Sequence, residues 1–118
     1  MKNFKKLKIW QKGMELVGHV YELAGQLPNE ERFELRSQMT RAAVSIASNI
    51  AEGSAKRSKK EYVYYLEIAL GSAYELETQV LIVDKLKYGD GSLRAIVLEE
   101  IDEEQKMLHV FIKTVQES

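Results

Sequence analysis

Cysteine is absent from all 118 residues, which excludes disulfides and thiolate metal sites and favours a reducing compartment. Long apolar runs are missing too. The longest strongly apolar run is Val80–Val83, far short of the roughly 20 residues a membrane span needs. Met1–Lys8 is basic and lacks the apolar centre of a secretory signal, so the expectation is a cytoplasmic chain with no membrane segment. Proline occurs once, at Pro28, and β-branched alternation is almost absent, which argues against strands. There are 2 histidines, and neither carries the Glu-x-x-His spacing of di-iron bundles: Leu16 stands three before His19 and Lys106 three before His109. No phosphate loop, dinucleotide fingerprint or activated serine is present. The expectation is therefore a non-enzyme with no catalytic residue, no metal and no cofactor.

What is present is helical rhythm and unevenly spread charge. The length suits one domain over residues 1–118 with a real core. Residues 1–60 hold 12 Lys/Arg against 6 Asp/Glu, a net of +6, and residues 61–118 hold 5 against 12, a net of −7. Folded side by side, the two halves complement each other while leaving room for a local basic patch.

Apolar periodicity predicts helices over about 7–27, 30–53, 59–87 and 92–116. In the first, Trp10, Met14, Val17, Tyr21 and Ala24 step by four and three, the seam of a bundle helix, and Leu27-Pro28 ends it. Asn29 is the expected cap of helix two, with Leu35, Met39, Ala42, Ile46 and Ile50 inward and Gly53 at the C′ position. Ser58 and Glu61 form a capping box for helix three, whose inward positions are Tyr62, Leu66, Ala69, Ala73, Leu76, Val80 and Val83. At about 29 residues that helix spans roughly 43 Å, long enough to imply exposed ends or an oligomer covering them. Asp90 or Ser92 caps helix four, with Val97, Ile101, Leu108, Phe111 and Val115 inward and a slip of the seam expected at Glu104. The fold class is all-α: an antiparallel up-down-up-down four-helix bundle.

Several stretches carry a resemblance: Leu7–Gln11, Arg41-Ala42-Ala43, Ser45-Ile46, Asn49–Gly53, Ser58–Glu61, Ile68–Ser72 and Glu75–Glu77, with Pro28, Glu31 and Gln38. Over nearly the whole chain to about Tyr88, it resembles the bacterial four-helix-bundle family of 23S rRNA intervening-sequence (S23) proteins. That name records a genomic location, insertions in 23S rRNA genes, and not an activity. The resemblance implies bundles assembling as rings, commonly pentamers. A related group, the accessory proteins of diversity-generating retroelements, is a basic nucleic-acid-binding barrel; this chain, with pI about 6.2, is near neutral.

Two clusters of residues stand out as candidate sites. The first is the polar stripe of helix two, Arg41, Ser45, Asn49 and Glu52, beside Gln38 and facing Ser72 and Glu75 of helix three. A turn about residue 55 or 56 puts Arg41 level with Leu70–Ser72 and in reach of Glu75, Gln38 near Ala73, and Asn49 near Tyr62. Buried polar groups left unpaired cost about 1–3 kcal/mol, so these residues read as a structural network fixing the register of helices or subunits. The second is a basic pole: Lys2, Lys5, Lys6, Lys8 and Lys12 before and at helix one, and Lys56, Arg57, Lys59 and Lys60 at the turn between helices two and three, nine cations in all. With Tyr64 as an outward stacking face, and Tyr62 and Tyr65 as core or subunit contacts, this is a footprint for RNA or DNA phosphates. The acidic run Glu99, Glu100, Asp102, Glu103 and Glu104 points around its helix and reads as solvated or subunit-facing surface. The leading expectation is a ring-forming scaffold or adaptor, a homo-oligomer with a protein partner; the alternative is a nucleic-acid or ribonucleoprotein-binding accessory protein.

Overall fold

Helix three begins where its capping residues put it: Ser58 Oγ accepts from the Glu61 amide at 3.1 Å and donates to Glu61 Oε1 at 3.0 Å. In the computed structural model, which describes residues 3–118, this helix is one of four: α1 Lys8–Gly25, α2 Leu35–Ser54, α3 Lys59–Lys85 and α4 Gly91–Glu117. Short 3₁₀ turns at Phe4–Lys6 and Asn29–Glu31 precede α1 and α2, and no strand occurs among the described residues. Lys2 lies outside those residues. Asp90, rather than Ser92, caps α4 by accepting from the Leu93 amide at 3.0 Å.

The helices close around one core, with α1 and α3 each packed against both α2 and α4. Leu16 and Val20 of α1, Met39 and Ile46 of α2, Leu66 and Leu76 of α3, and Ile101 and Leu108 of α4 are fully buried there. Burial of a large aliphatic side chain is worth about 1.5–3 kcal/mol. The whole measures 45 × 23 × 20 Å. α3 has 27 residues, and α4 matches it with 27. The end of α3 is a Schellman closure: the Tyr88 amide bonds Val83 O and the Lys87 amide bonds Asp84 O, both at 3.1 Å. Lys87 takes the left-handed position there, with φ 57°.

Several local expectations are corrected. Helix one does not bury Trp10, Met14, Val17 and Tyr21. Its inward stripe is Ile9, Gly13, Leu16, Val20 and Leu23, which has the same four-three rhythm. Met14 stays 46% exposed and Tyr21 53%, while Trp10 and Val17 are half-buried. Asn29 does not cap α2, because residues 29–34 form a 3₁₀ turn and bends, and α2 starts five residues later than the expected 30. Gly53 is not a C′ residue: α2 continues through it to Ser54. Its lack of a side chain admits α3 instead. A Cβ there would sit 2.9 Å from Tyr65 Cβ and 3.3 Å from the Tyr62 carbonyl oxygen. The α4 seam does not slip at Glu104, which is buried in step with Ile101 and Leu108, and Ile112 takes the fully inward place expected of Phe111. Phe111 is half-buried, edge-on to Tyr62 at 5.9 Å.

Candidate functional site

The polar stripe of α2 divides into a bonded part and an open part. Ser45 Oγ and Ser72 Oγ are 2.8 Å apart across the α2–α3 contact. One turn along, Asn49 Nδ2 donates to Ser45 O at 2.8 Å and to Ser45 Oγ at 3.0 Å. These three residues tie the helices together. The pairing of the two helices is displaced from the expected one: Ser45 meets Ser72, and Tyr62 lies against Gly53 rather than Asn49. The cause is the end of α2, which runs on through Gly53 to Ser54 and moves the turn towards residue 57.

Arg41, Gln38 and Glu75 do not join that network. Arg41 and Glu75 form no ion pair among the described residues, and Glu52 is exposed on the same side. Instead Gln38, Arg41 and Glu75 line an open groove of about 630 Å³, together with Tyr21 of α1 and Val44 and Ser48 of α2. Tyr21 is the α1 residue in this groove, and its walls include the Arg41 guanidinium and the Glu75 carboxylate, neither in an ion pair among the described residues.

The basic pole is assembled in part. Leu7 and Lys59 line one cavity with Asn3, Tyr62 and Phe111, so the chain start and the α2–α3 turn meet at one end of the molecule. Lys59 and Lys60 line a second groove with Tyr64, which is exposed as expected. Tyr65 stacks edge-on to Tyr64 at 5.3 Å and carries Lys56 over its ring at 5.1 Å. The Lys59 ammonium donates to the Ser118 carbonyl. Arg57 and Lys5 are exposed. Lys12 belongs elsewhere: it faces Glu103 at 3.7 Å and Glu15 at 3.9 Å on the α1–α4 side. Burial raises the Tyr62 phenol, and the Ser54 hydroxyl opposes that shift.

Glu104 is the residue that sequence reasoning misplaced. The acidic run in which it stands reads as surface, yet it is 1% exposed, and neither carboxyl oxygen has a hydrogen-bond partner among the described residues. Its pocket is made by Gly13, where a Cβ would come within 3.1 Å of Glu104 Oε2. Burial, then the neighbouring Glu103, push this carboxyl up to about 8, with Lys12 pulling the other way. A carboxyl so placed is uncharged at neutral pH. The signal was legible, since the four-three rhythm of α4 demanded an inward residue at this position. Beside it, His19 Nδ1 lies within hydrogen-bond distance of Glu100 Oε1, at 2.7 Å. No group of three or more metal-ligating side chains occurs among the described residues. No helix among them is long and apolar enough to cross a membrane.

The family model described as 23S rRNA-intervening sequence protein matches residues 5–110. Among solved structures, the chain is similar to a protein of unknown function from the S23 ribosomal protein family of Bacteroides thetaiotaomicron VPI-5482. The TM-score is 0.82 at 26% identity, over 89% of this chain and 98% of that one. No curated protein matches the chain.

Proposed function

The chain belongs to the 23S rRNA-intervening sequence protein family, and we propose that it is a non-enzymatic helical scaffold, an antiparallel up-down-up-down bundle that assembles with its own copies into a ring. The antiparallel reading is supported by the order of contacts. Lys12 faces Glu103, the later His19 faces the earlier Glu100, and Gln26 accepts from the still earlier Asp90 amide at 2.8 Å. α3 and α4 pair in the same opposed sense, Tyr74 with His109 and Asp84 with Arg94.

The observation that carries self-assembly is the second apolar stripe of α1. Trp10, Met14, Val17 and Tyr21 keep heptad rhythm; Trp10 and Val17 are half-buried against the core, while Met14 and Tyr21 are exposed, as is Val44 of α2. A stripe of this regularity on a helix that already has an inward stripe is suited to a second helical partner. Arg41 and Glu75, unpaired within one copy, give that interface a polar rim. The family resemblance implies five copies, and a cytoplasmic setting suits a chain without cysteine. Light scattering on a sizing column tests this: the wild type runs as a closed oligomer at micromolar concentration, and Tyr21→Glu with Val44→Asp runs as a helical monomer. A wild-type monomer overturns the reading.

A second reading has its own support. The groove shared by Lys59, Lys60 and the exposed Tyr64 pairs cations with a stacking face, which suits single-stranded RNA or DNA. Its mark is a mobility shift at low salt that fades as salt rises and is lost in Lys59→Ala with Lys60→Ala; a shift indifferent to both changes removes it.

A further inference from the structure

On the side of the molecule where α1 meets α4, the start of α1 leaves part of α4 uncovered. The gap is a trough of about 490 Å³ between Lys6–Ile9 and the residues Met107, Val110, Phe111 and Thr114 of α4. Its floor is apolar, and Val110, at 67% exposure, stands in it almost bare. Its rim is basic. Lys6 and Lys8 project from the α1 side and form no ion pair among the described residues, and Lys106, on the α4 side, is held by Asp102 at 2.9 Å.

We propose that this trough is a docking surface for an acidic amphipathic helix of another protein, bound by an apolar stripe on the floor and carboxylates against Lys6 and Lys8. The charge of the rim selects the sign of the partner, because desolvating an apolar floor beside two unpaired ammonium groups favours a ligand that brings anions to them. The spacing of the floor selects its shape. Met107, Val110, Phe111 and Thr114 recur at three and four along α4, so the trough runs beside that helix for two turns, about 10 Å, and matches anchors at i, i+3 or i+4 and i+7 of a partner helix. The floor residue Met107 adapts to varied anchors. Because the trough is open along its length, it suits a helix that continues past both ends better than an enclosed acyl chain. This surface lies on the opposite side of α1 from the Tyr21–Val44 stripe and does not depend on self-assembly through it.

The probe is a fluorescent model helix of about 14 residues, with leucines at i, i+3, i+4 and i+7 and glutamates on both flanks, measured by anisotropy against the full-length protein. Saturable binding at low salt is expected, weakened at least about tenfold by Val110→Asp and by Lys6→Glu with Lys8→Glu, and absent for the same helix carrying lysines in place of glutamates. Val110 is exposed, so Val110→Asp leaves the fold intact, and an unchanged melting curve establishes that. The proposal is overturned if the glutamate helix fails to bind, if both helices bind alike, or if Val110→Asp leaves binding unchanged. It is equally overturned if that variant changes the oligomeric mass, which assigns the trough to a second copy. Val110-dependent binding of phosphatidylglycerol vesicles in place of the helix assigns it to a lipid surface.

Discussion

Where α2 meets α3, the chain sets small residues against each other and pairs three polar ones at the centre. Ala42, Ala43, Ala69 and Ala73 are buried, Gly53 admits two tyrosines, and Ser45, Asn49 and Ser72 bond among themselves. Where α1 meets α4, a glycine faces a carboxylic acid with no hydrogen-bond partner among the described residues, and the rim is polar: His19 with Glu100, Lys12 with Glu103. Both contacts use glycine to bring helices close. In the first, the space is filled by carbon and the central hydroxyls and amide, Ser45, Ser72 and Asn49, are paired, so close packing translates into stability. In the second, the space is filled by an ionisable group, so the strength of the contact depends on pH. The molecule thus has one firm contact and one conditional contact.

The largest expected effect tests the conditional one. The Glu104 carboxyl titrates near 8 in the folded protein against an ordinary value of 4.5. Between those values the folded protein holds a proton that the unfolded chain has released, so stability is greatest at the acid end and falls as pH rises through the window. At about 1.4 kcal/mol per unit, the full fall is on the order of 5 kcal/mol. Glu104→Gln abolishes this slope: urea unfolding near pH 5 and near pH 8 shows a gap between variant and wild type that widens towards alkali. A gap constant with pH would falsify the assignment of an uncharged buried acid. The firm contact answers to volume instead. Gly53→Val drives methyl groups into Tyr65 and the Tyr62 backbone and lowers stability by about 2–3 kcal/mol at any pH, read as a fall in the melting temperature.

These two residues also mark how much was legible in the sequence. The core face of α2 was readable because Leu35, Met39, Ala42, Ile46 and Ile50 are its one continuous apolar stripe, and that of α3 because the stripe from Tyr62 through Leu66, Ala69, Ala73, Leu76 and Val80 to Val83 is longer and more regular than the broken one on its outer side. α1 offers two stripes of equal rhythm, and local pattern does not choose between them. The choice is made by the neighbours: only the Gly13 stripe leaves room for Glu104. Gly53 was read by its chemistry as a helix terminator, yet glycine serves close approach as readily as a left-handed turn, and the distinction lies in Tyr62 and Tyr65 on another helix. Ser45 and Asn49, four apart, announced a shared stripe. Their partner Ser72 depended on the length of the α2–α3 turn, which sequence fixes only to within a few residues.

Next in size is the serine pair that sets that register. Ser45→Ala leaves the Ser72 hydroxyl without its partner and removes one of two acceptors from Asn49, at a cost of about 1 kcal/mol. Ser72→Ala alone costs a similar amount, and the double variant less than the two together, with a coupling of about 0.5–1 kcal/mol. Strict additivity in the cycle would mean that the two hydroxyls do not act as a pair, and the firmness of this contact would then rest on small-residue packing alone.

The smallest effect belongs to the charged rim. The His19 side chain is 41% exposed and that of Glu100 25%, and a pair that water still reaches is worth less than about 1 kcal/mol. His19→Ala therefore changes the unfolding midpoint slightly, and added salt narrows the difference further. What attaches α1 to α4 is then Leu16, Val20 and Leu23 packed with Val97, Ile101 and Leu108 in the common core. That division of labour has a consequence for Glu104. If the rim holds little, nothing outside the core compensates when the buried carboxyl ionises, and the whole alkaline loss falls on this one contact. A His19→Ala cost above about 2 kcal/mol would reverse the picture, making the rim rather than the core the fastening of α1 to α4.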